Sequence, residues 1–278
     1  MSTWIITGAA TGLGRLLAAR VLAEGQCVAA AALDVGPLGD LAERYPDNLL
    51  PVTIDVTDAD ARARLVKATR QRFGRIDVLV NNAGVDFIGA VEEQDESDYR
   101  AVFEVNFFGA VGMMRAVLPT LRDQRAGTIV NISSMDGIAS LPVNGYYSAS
   151  KFALEGITDA LAGEVAHLGI TTLLVEPGSI RTGIIGRTRV SGARIADYEP
   201  AVRPFLDAVA LPDAATLLFP GDATASAAAI YAEVTAARPR RRLILGSDAL
   251  ANITGAVDRL QEDVAANAGT AGDVDYPV

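Results

Sequence analysis

A phenol and an ammonium four residues apart, Tyr147 and Lys151, are the pair in this sequence best suited to moving a proton. On a helix that spacing puts both side chains on one face, one turn apart. A phenol ordinarily titrates at about 10, too high for a base at neutral pH, and a neighbouring cation favours the phenolate and draws that value down. Tyr146 precedes the pair, but its own four-residue partner is Ser150, which carries no charge. A second chemical segment is Thr7-Gly8-Ala9-Ala10-Thr11-Gly12-Leu13-Gly14, a Gly-x-x-x-Gly-x-Gly turn between a strand-like and a helix-like run. Such a turn lets a phosphate approach the backbone and meet the unpaired N–H groups at a helix start. A third is Asn131-Ile132-Ser133-Ser134, where two adjacent hydroxyls end a strand-like run and only one of them can face a site.

Alternating elements must hold these groups. Short β-rich runs, apolar on both faces, occur at Trp4–Thr7, Cys27–Ala31, Leu50–Ile54, Val78–Val80, Thr128–Ile132, Thr171–Val175 and Leu243–Leu245. Helical patterns lie between them at Leu13–Glu24, Leu38–Tyr45, Asp58–Phe73, Tyr99–Gln124, Ser148–Leu168 and Asp222–Ala237. Strand-then-helix repetition implies an α/β fold with a doubly wound parallel sheet. Residues 1–265 read as one domain. Within it, 183–220 is a weakly patterned stretch punctuated by Pro200, Pro204, Pro212 and Pro220, expected as a lid; 266–278 reads as a flexible acidic tail.

Composition narrows the classes. Half of the 278 residues are hydrophobic and 21% are charged, enough for a large core. Charges, glycines or prolines break every apolar run, so no transmembrane helix is expected, and the non-basic start after Met1 suggests no secretory signal. A cytoplasmic location follows as an expectation. Twenty-four basic against 34 acidic residues leave a net charge of −10, which argues against nucleic acid as a partner. The basic cluster Arg238-Pro239-Arg240-Arg241-Arg242 reads as a solvated turn before a strand. One cysteine, Cys27, and one histidine, His167, are too few for a disulfide framework or a His- or Cys-rich metal site. Cys27 reads as a small packer, His167 as a helix-terminal residue, and Met113 and Met114 as core or subunit interface.

In the same order along residues 1–182, these motifs resemble the short-chain dehydrogenase/reductase family. The glycine turn, with Gly8, Thr11, Gly12, Leu13 and Gly14, is similar to its coenzyme-binding motif. Asp55-Val56 resembles its adenine-contacting acid, and Asn81-Asn82-Ala83-Gly84 its motif after the fourth strand. Asn106 resembles its active-site asparagine, Tyr147 and Lys151 its Tyr-x-x-x-Lys pair, and Pro177-Gly178-Ser179-Ile180-Arg181-Thr182 its nicotinamide-side motif. The resemblance implies a Rossmann fold, NAD(P) as coenzyme, and hydride transfer between it and a secondary alcohol or ketone. It selects Ser134, thirteen residues before Tyr147, as the hydroxyl that binds the substrate oxygen, and implies that Asn106 holds a water in line with Lys151. It also implies a homodimer or homotetramer through the helices at 99–124 and 148–168.

The end of the second strand, where coenzyme choice is made, follows neither family pattern. Ala32 stands where NAD users of the family place Asp, and Leu33 where NADP users often place Arg. Asp34 would repel a 2′-phosphate and Arg15 would attract one; the balance leans to NAD. Expected substrate residues are Val85, Asp86, Phe87, Met135, Asp136, Val143 and Asn144, with Ile184 and Ile185 opening the lid. Apolar walls suit a bulky aromatic or alicyclic substrate. Asp86 and Asp136 read first as solvated loop residues or caps; the sharper alternative pairs one of them with a cationic amine. Two other functions stay open: a catalytically silent coenzyme-binding scaffold, and an epimerase or dehydratase without net redox.

Overall fold

The computed structural model describes residues 1–182, 188–211 and 213–276. In chain order the elements are β1 (Thr3–Thr7), α1 (Gly12–Ala23), β2 (Cys27–Ala32), α2 (Gly39–Arg44), β3 (Leu49–Thr53), α3 (Ala59–Phe73), β4 (Val78–Asn81) and β5 (Phe87–Ile88). There follow α4 (Glu96–Phe103), α5 (Ala110–Gln124), β6 (Gly127–Ile132), α6 (Gly145–Val165), β7 (Ile170–Pro177), β8 (Arg189–Val190) and α7 (Glu199–Val209). The chain then runs through α8 (Ala214–Leu217), α9 (Ala223–Val234), β9 (Arg242–Leu245) and α10 (Ser247–Asn267).

Seven strands form one parallel sheet in the order β3-β2-β1-β4-β6-β7-β9. Alternate residues of β1 show why it is covered on both sides. Trp4 and Ile6 pack with Leu17, Val21 and Ile230 under α1 and α9, whereas Ile5 packs with Leu65, Met113 and Leu121 under α3 and α5. Met113 and Met114 therefore belong to the core. Local signals set the element ends. On α3, Asp58 accepts from the Asp60 N–H at 2.8 Å, and Gly74, at φ 80°, closes the last turn by donating to the Arg70 carbonyl.

Three features depart from the expected elements. The helix that starts at Glu96 runs on to Gln124 through one π turn, Glu104–Gly109. Its length and apolar composition are those of a membrane span, yet its Val102, Met113, Met114, Val117 and Leu121 are buried in this chain. A 21-residue helix, α10, has no counterpart in the periodicity, because only Ala249 and Ile253 are buried while Leu250, Val257, Leu260 and Val264 face outward. Finally, the described part of the proline-rich stretch contains a helix, α7. Pro200 sits in the first turn of α7, where its missing N–H costs nothing, and Pro204 lies inside the helix.

Residues 188–220, as far as they are described, fold over the C-terminal edge of the sheet. β8 pairs with β5 in a two-residue parallel ribbon. Buried Glu93 ties the two segments: it accepts from Ile195 N–H at 2.9 Å, and its carbonyl accepts from the Ser191 hydroxyl. Ile184 and Ile185 lie outside the described residues.

Candidate active site

The order of the sheet reverses beside β1, between it and β4, and there the loops after the two strands meet. Thr7 and Asn82 hold them together. The Thr7 hydroxyl accepts from the N–H groups of Asn82 and Ala83, both at 3.0 Å, and Asn82 Nδ2 donates to the carbonyls of Thr7 and Gly8 at 2.9 and 3.2 Å. Gly8 and Gly12 take left-handed φ values of 63° and 53°. A Cβ on Gly14 would strike Asn82 Nδ2 and the Gly8 carbonyl. The turn is thus pressed flat against β4, and the first N–H groups of α1, which have no intrahelical acceptor, open onto a cleft of about 640 Å³. Backbone donors, a helix N-terminus and room in front of them fit the pyrophosphate of a dinucleotide.

Gly8, Thr11, Gly12 and Leu13 line that cleft, as do Asn82, Ala83 and Gly84 from the β4 end. Pro177, Gly178, Ile180 and Thr182 line it from the β7 end. Gly14 is packed beneath the turn. Asp55 and Val56 are not in the lining: Asp55 accepts from the Thr57 N–H and hydroxyl, and Val56 is buried against Gly109. Asp34 is also outside it, exposed and accepting from the Gly36 N–H at 2.8 Å. Arg15 donates from Nη2 to both carboxylate oxygens of Asp40 at 2.7 Å.

Tyr147 and Lys151 stand one turn apart on α6 and both line the cleft with Ser134. Tyr146 points elsewhere, stacking on Tyr99 with ring centroids 4.3 Å apart and donating to the Val91 carbonyl. Ser134 follows β6 and its hydroxyl accepts from the Asp136 N–H at 3.1 Å; Ser133 Oγ turns towards Gly137 and Glu155 instead. Asn106, in the π turn, is buried with its amide engaged. Its Oδ1 accepts from Val85 N–H at 2.8 Å, and its Nδ2 donates to the Val85 carbonyl and to Ser150 Oγ. Its side chain holds the loop after β4 and does not line the cleft.

The electrostatics correct one expectation. Lys151 Nζ lies 5.6 Å from the Tyr147 ring centroid and donates to the Ile132 carbonyl at 2.8 Å. Burial pushes the Tyr147 phenol above its ordinary value; the carboxylates of Asp86 and Asp136 add to the rise, and a side-chain hydrogen bond with Ser134 opposes it. Burial lowers the Lys151 ammonium to about 8, against the pull of Glu155, Asp86 and Asp136. Desolvation and the two carboxylates therefore favour the phenol over the phenolate.

Asp86 and Asp136 are likewise not solvated caps. Asp136 is 3% exposed, and both line the cleft. Burial raises Asp86 to about 7, with Asp136 adding to it, and raises Asp136 to about 6, opposed by a hydrogen bond from Asn144. Met135 and Asn144 line the same wall, whereas Val143 is not in the lining and is held at a left-handed φ of 67° just before Asn144.

Several residues escaped the reading of the sequence. Phe205, Val209 and Phe219, from the segment after β8, also line the cleft. Asp248, at the start of α10, accepts from the Ser179 N–H at 2.7 Å and fills the space where Gly178 has no Cβ. Arg242 is no solvated cation either: it donates to the buried carboxylates of Glu155 and Glu176 and to Asp159. No local pattern marks these contacts, since their partners lie 66 to 87 residues away in the chain.

Comparison with known proteins agrees with this geometry. The family model for the short chain dehydrogenases matches residues 2–190. A short-chain dehydrogenase from Streptomyces avermitilis is 36% identical and superposes with a TM-score of 0.90, covering 99% of this chain and 100% of its own. A Burkholderia phymatum short chain dehydrogenase/reductase solved with NAD is 27% identical, with a TM-score of 0.79 and coverage of 94% and 95%. A Burkholderia cenocepacia short chain dehydrogenase solved with NADP is 26% identical, with a TM-score of 0.73 and coverage of 95% and 96%. The glycine turn at the sheet's reversal point, the Ser134, Tyr147 and Lys151 side chains on one cleft, and these matches lead to one conclusion: the chain belongs to the short-chain dehydrogenase/reductase family of NAD(P)-binding oxidoreductases.

Proposed function

We propose that the protein moves a hydride between NAD(P)(H) and a secondary alcohol or ketone with a bulky aromatic or alicyclic body. The observation that carries this reading is the convergence of Ser134, Tyr147 and Lys151 on a cleft that the glycine turn also lines. The bound coenzyme supplies or accepts the hydride. In the reducing direction Tyr147, held protonated, gives its proton to the substrate oxygen while Ser134 hydrogen-bonds that oxygen. The phenolate left behind is stabilised by the Lys151 ammonium, which has no carboxylate within ion-pair distance among the described residues. Ile88, Leu141, Phe205, Val209 and Phe219 supply the apolar wall for the substrate body. Loss of NADH or NADPH absorbance against a panel of cyclic and aryl ketones tests the reading; a scaffold or an epimerase shows none.

NAD is the favoured coenzyme, because Asp40 already neutralises the Arg15 guanidinium that would attract a 2′-phosphate. A homodimer or homotetramer is supported by Phe108, Phe152 and Ile157, which are 51%, 44% and 38% exposed on the π turn and α6. A mass of one chain by light scattering at micromolar concentration would refute it. The single buried, free Cys27 suits a reducing, cytoplasmic setting.

A further inference from the structure

The polar wall beside Tyr147 is short of donors. Oδ1 of Asp86, Oδ1 of Asp136 and Oδ1 of Asn144 are buried with no hydrogen-bond partner. All three atoms are acceptors. The Asn144 assignment is fixed by its Nδ2, which donates to Asp136 Oδ2 at 2.7 Å and leaves Oδ1 open. Asp136 is 3% exposed, too buried for bulk water to supply what is missing. Lys151 is the one cation lining the cleft among the described residues, and its Nζ donates to the Ile132 carbonyl. Asp86, Asp136 and Asn144 thus line the same cavity as the apolar Phe205, Val209 and Phe219, with their unpartnered oxygens set just behind its surface.

A neutral ketone would leave these oxygens unsatisfied, at a cost on the order of 1–3 kcal/mol for each buried group. An ammonium offers several N–H donors and a charge of the right sign. Resting on the oxidoreductase reading above, we infer that the substrate carries a protonated primary or secondary amine close to its reacting carbon, held by Asp136, Asp86 and Asn144. Oxidation of such an amino alcohol passes the carbinol hydride to the oxidised coenzyme and the hydroxyl proton to the Tyr147 oxygen, whose own proton has first gone to solvent; the ammonium is unchanged. The rival occupant is a single proton shared between the two carboxyls, in keeping with their raised values. A site built to pair a donor group rejects the analogue lacking it by far more than a missing methylene would explain.

The test compares 2-amino-1-phenylethanol, its N-acetyl derivative and the isosteric 1-phenylpropan-1-ol as alcohols oxidised by the wild-type protein with NAD+ and NADP+. The expected result is a kcat/KM at least tenfold higher for the amine than for either neutral compound. In Asp136→Asn and Asp86→Asn, checked for melting temperature and coenzyme binding, that ratio falls towards one. Equal kcat/KM for amine and isostere in the wild type overturns the inference and assigns the pair a proton, while turnover of the isostere leaves the oxidoreductase reading standing. An amine preference that survives in both folded variants also overturns it. If neither these alcohols nor the ketone panel changes coenzyme absorbance, both readings fall together. The wild-type comparison decides even if a variant does not fold.

Discussion

Lys151 Nζ lies 5.6 Å from the centre of the Tyr147 ring, yet its hydrogen bond goes to the carbonyl of Ile132, 2.8 Å away at the end of β6. The ammonium is therefore anchored to the sheet and offered to the phenol as a charge. Tyr147→Phe removes the proton and leaves the packing of α6 almost intact. Its kcat/KM for any accepted ketone is expected to fall about 100- to 10,000-fold, with melting temperature and coenzyme affinity close to wild type. Steady-state kinetics beside a thermal melt make the check, and undiminished turnover would remove the assignment.

The buried acids make stability depend on pH. Asp86 and Asp136 are raised from 3.8 to about 7 and about 6, so between pH 4 and 7 the folded chain holds protons that the unfolded chain has released. Stability contributed by that difference is present at low pH and is lost as pH climbs through the window. Asp86→Asn, which cannot ionise, should raise the melting temperature relative to wild type at pH 8 and do so less at pH 5. A difference independent of pH would show that Asp86 is not buried as a charge.

Asp40 governs how much of the Arg15 charge a coenzyme feels. With the pair intact, NADH is expected to give the higher kcat/KM. Asp40→Ala frees the guanidinium and should move the NADPH to NADH ratio of kcat/KM upward by about two- to fivefold, the range expected of an exposed ion pair. An unchanged ratio would mean that Arg15 lies out of reach of the ribose.

Arg242 compensates two acids that have no place in an apolar interior. It donates to Glu155 and Glu176, which are 6% and 0% exposed, and burial holds Glu155 up at about 7 even so. Arg242→Ala leaves both carboxylates buried without their cation. The loss is expected at about 2–3 kcal/mol, below the full penalty of a broken buried pair because Arg242 is itself partly exposed. Denaturant melts should show the loss shrinking at pH 5, where the stranded acids take up protons.

The expectations that held rest on neighbours in the chain. The alternation of strands and helices, the glycine turn and the Tyr147–Lys151 spacing are short-range patterns, and each survives folding because a strand or helix has a fixed repeat. The helix α10 failed to show itself because its apolar residues mostly face outward, so no core-facing stripe marks it. Thr182 sits where the loop after β7 was expected to bring it, in the cleft lining. Asp34, Asp55 and Asn106 carry side chains that could serve a ligand, but local or cross-loop hydrogen bonds engage them.

Residue types and spacing alone thus determined the layered α/β architecture, the glycine turn after β1 and the helix face that carries Tyr147 and Lys151. Tertiary structure decided everything set by desolvation and distant partners: that burial and two carboxylates favour the Tyr147 phenol over its phenolate, that one oxygen each of Asp86 and Asp136 is buried without a donor, and that Arg242 is bound to Glu155 and Glu176. The reason is physical. A periodic pattern is a property of the backbone repeat, whereas the cost of a charge depends on what the fold places around it.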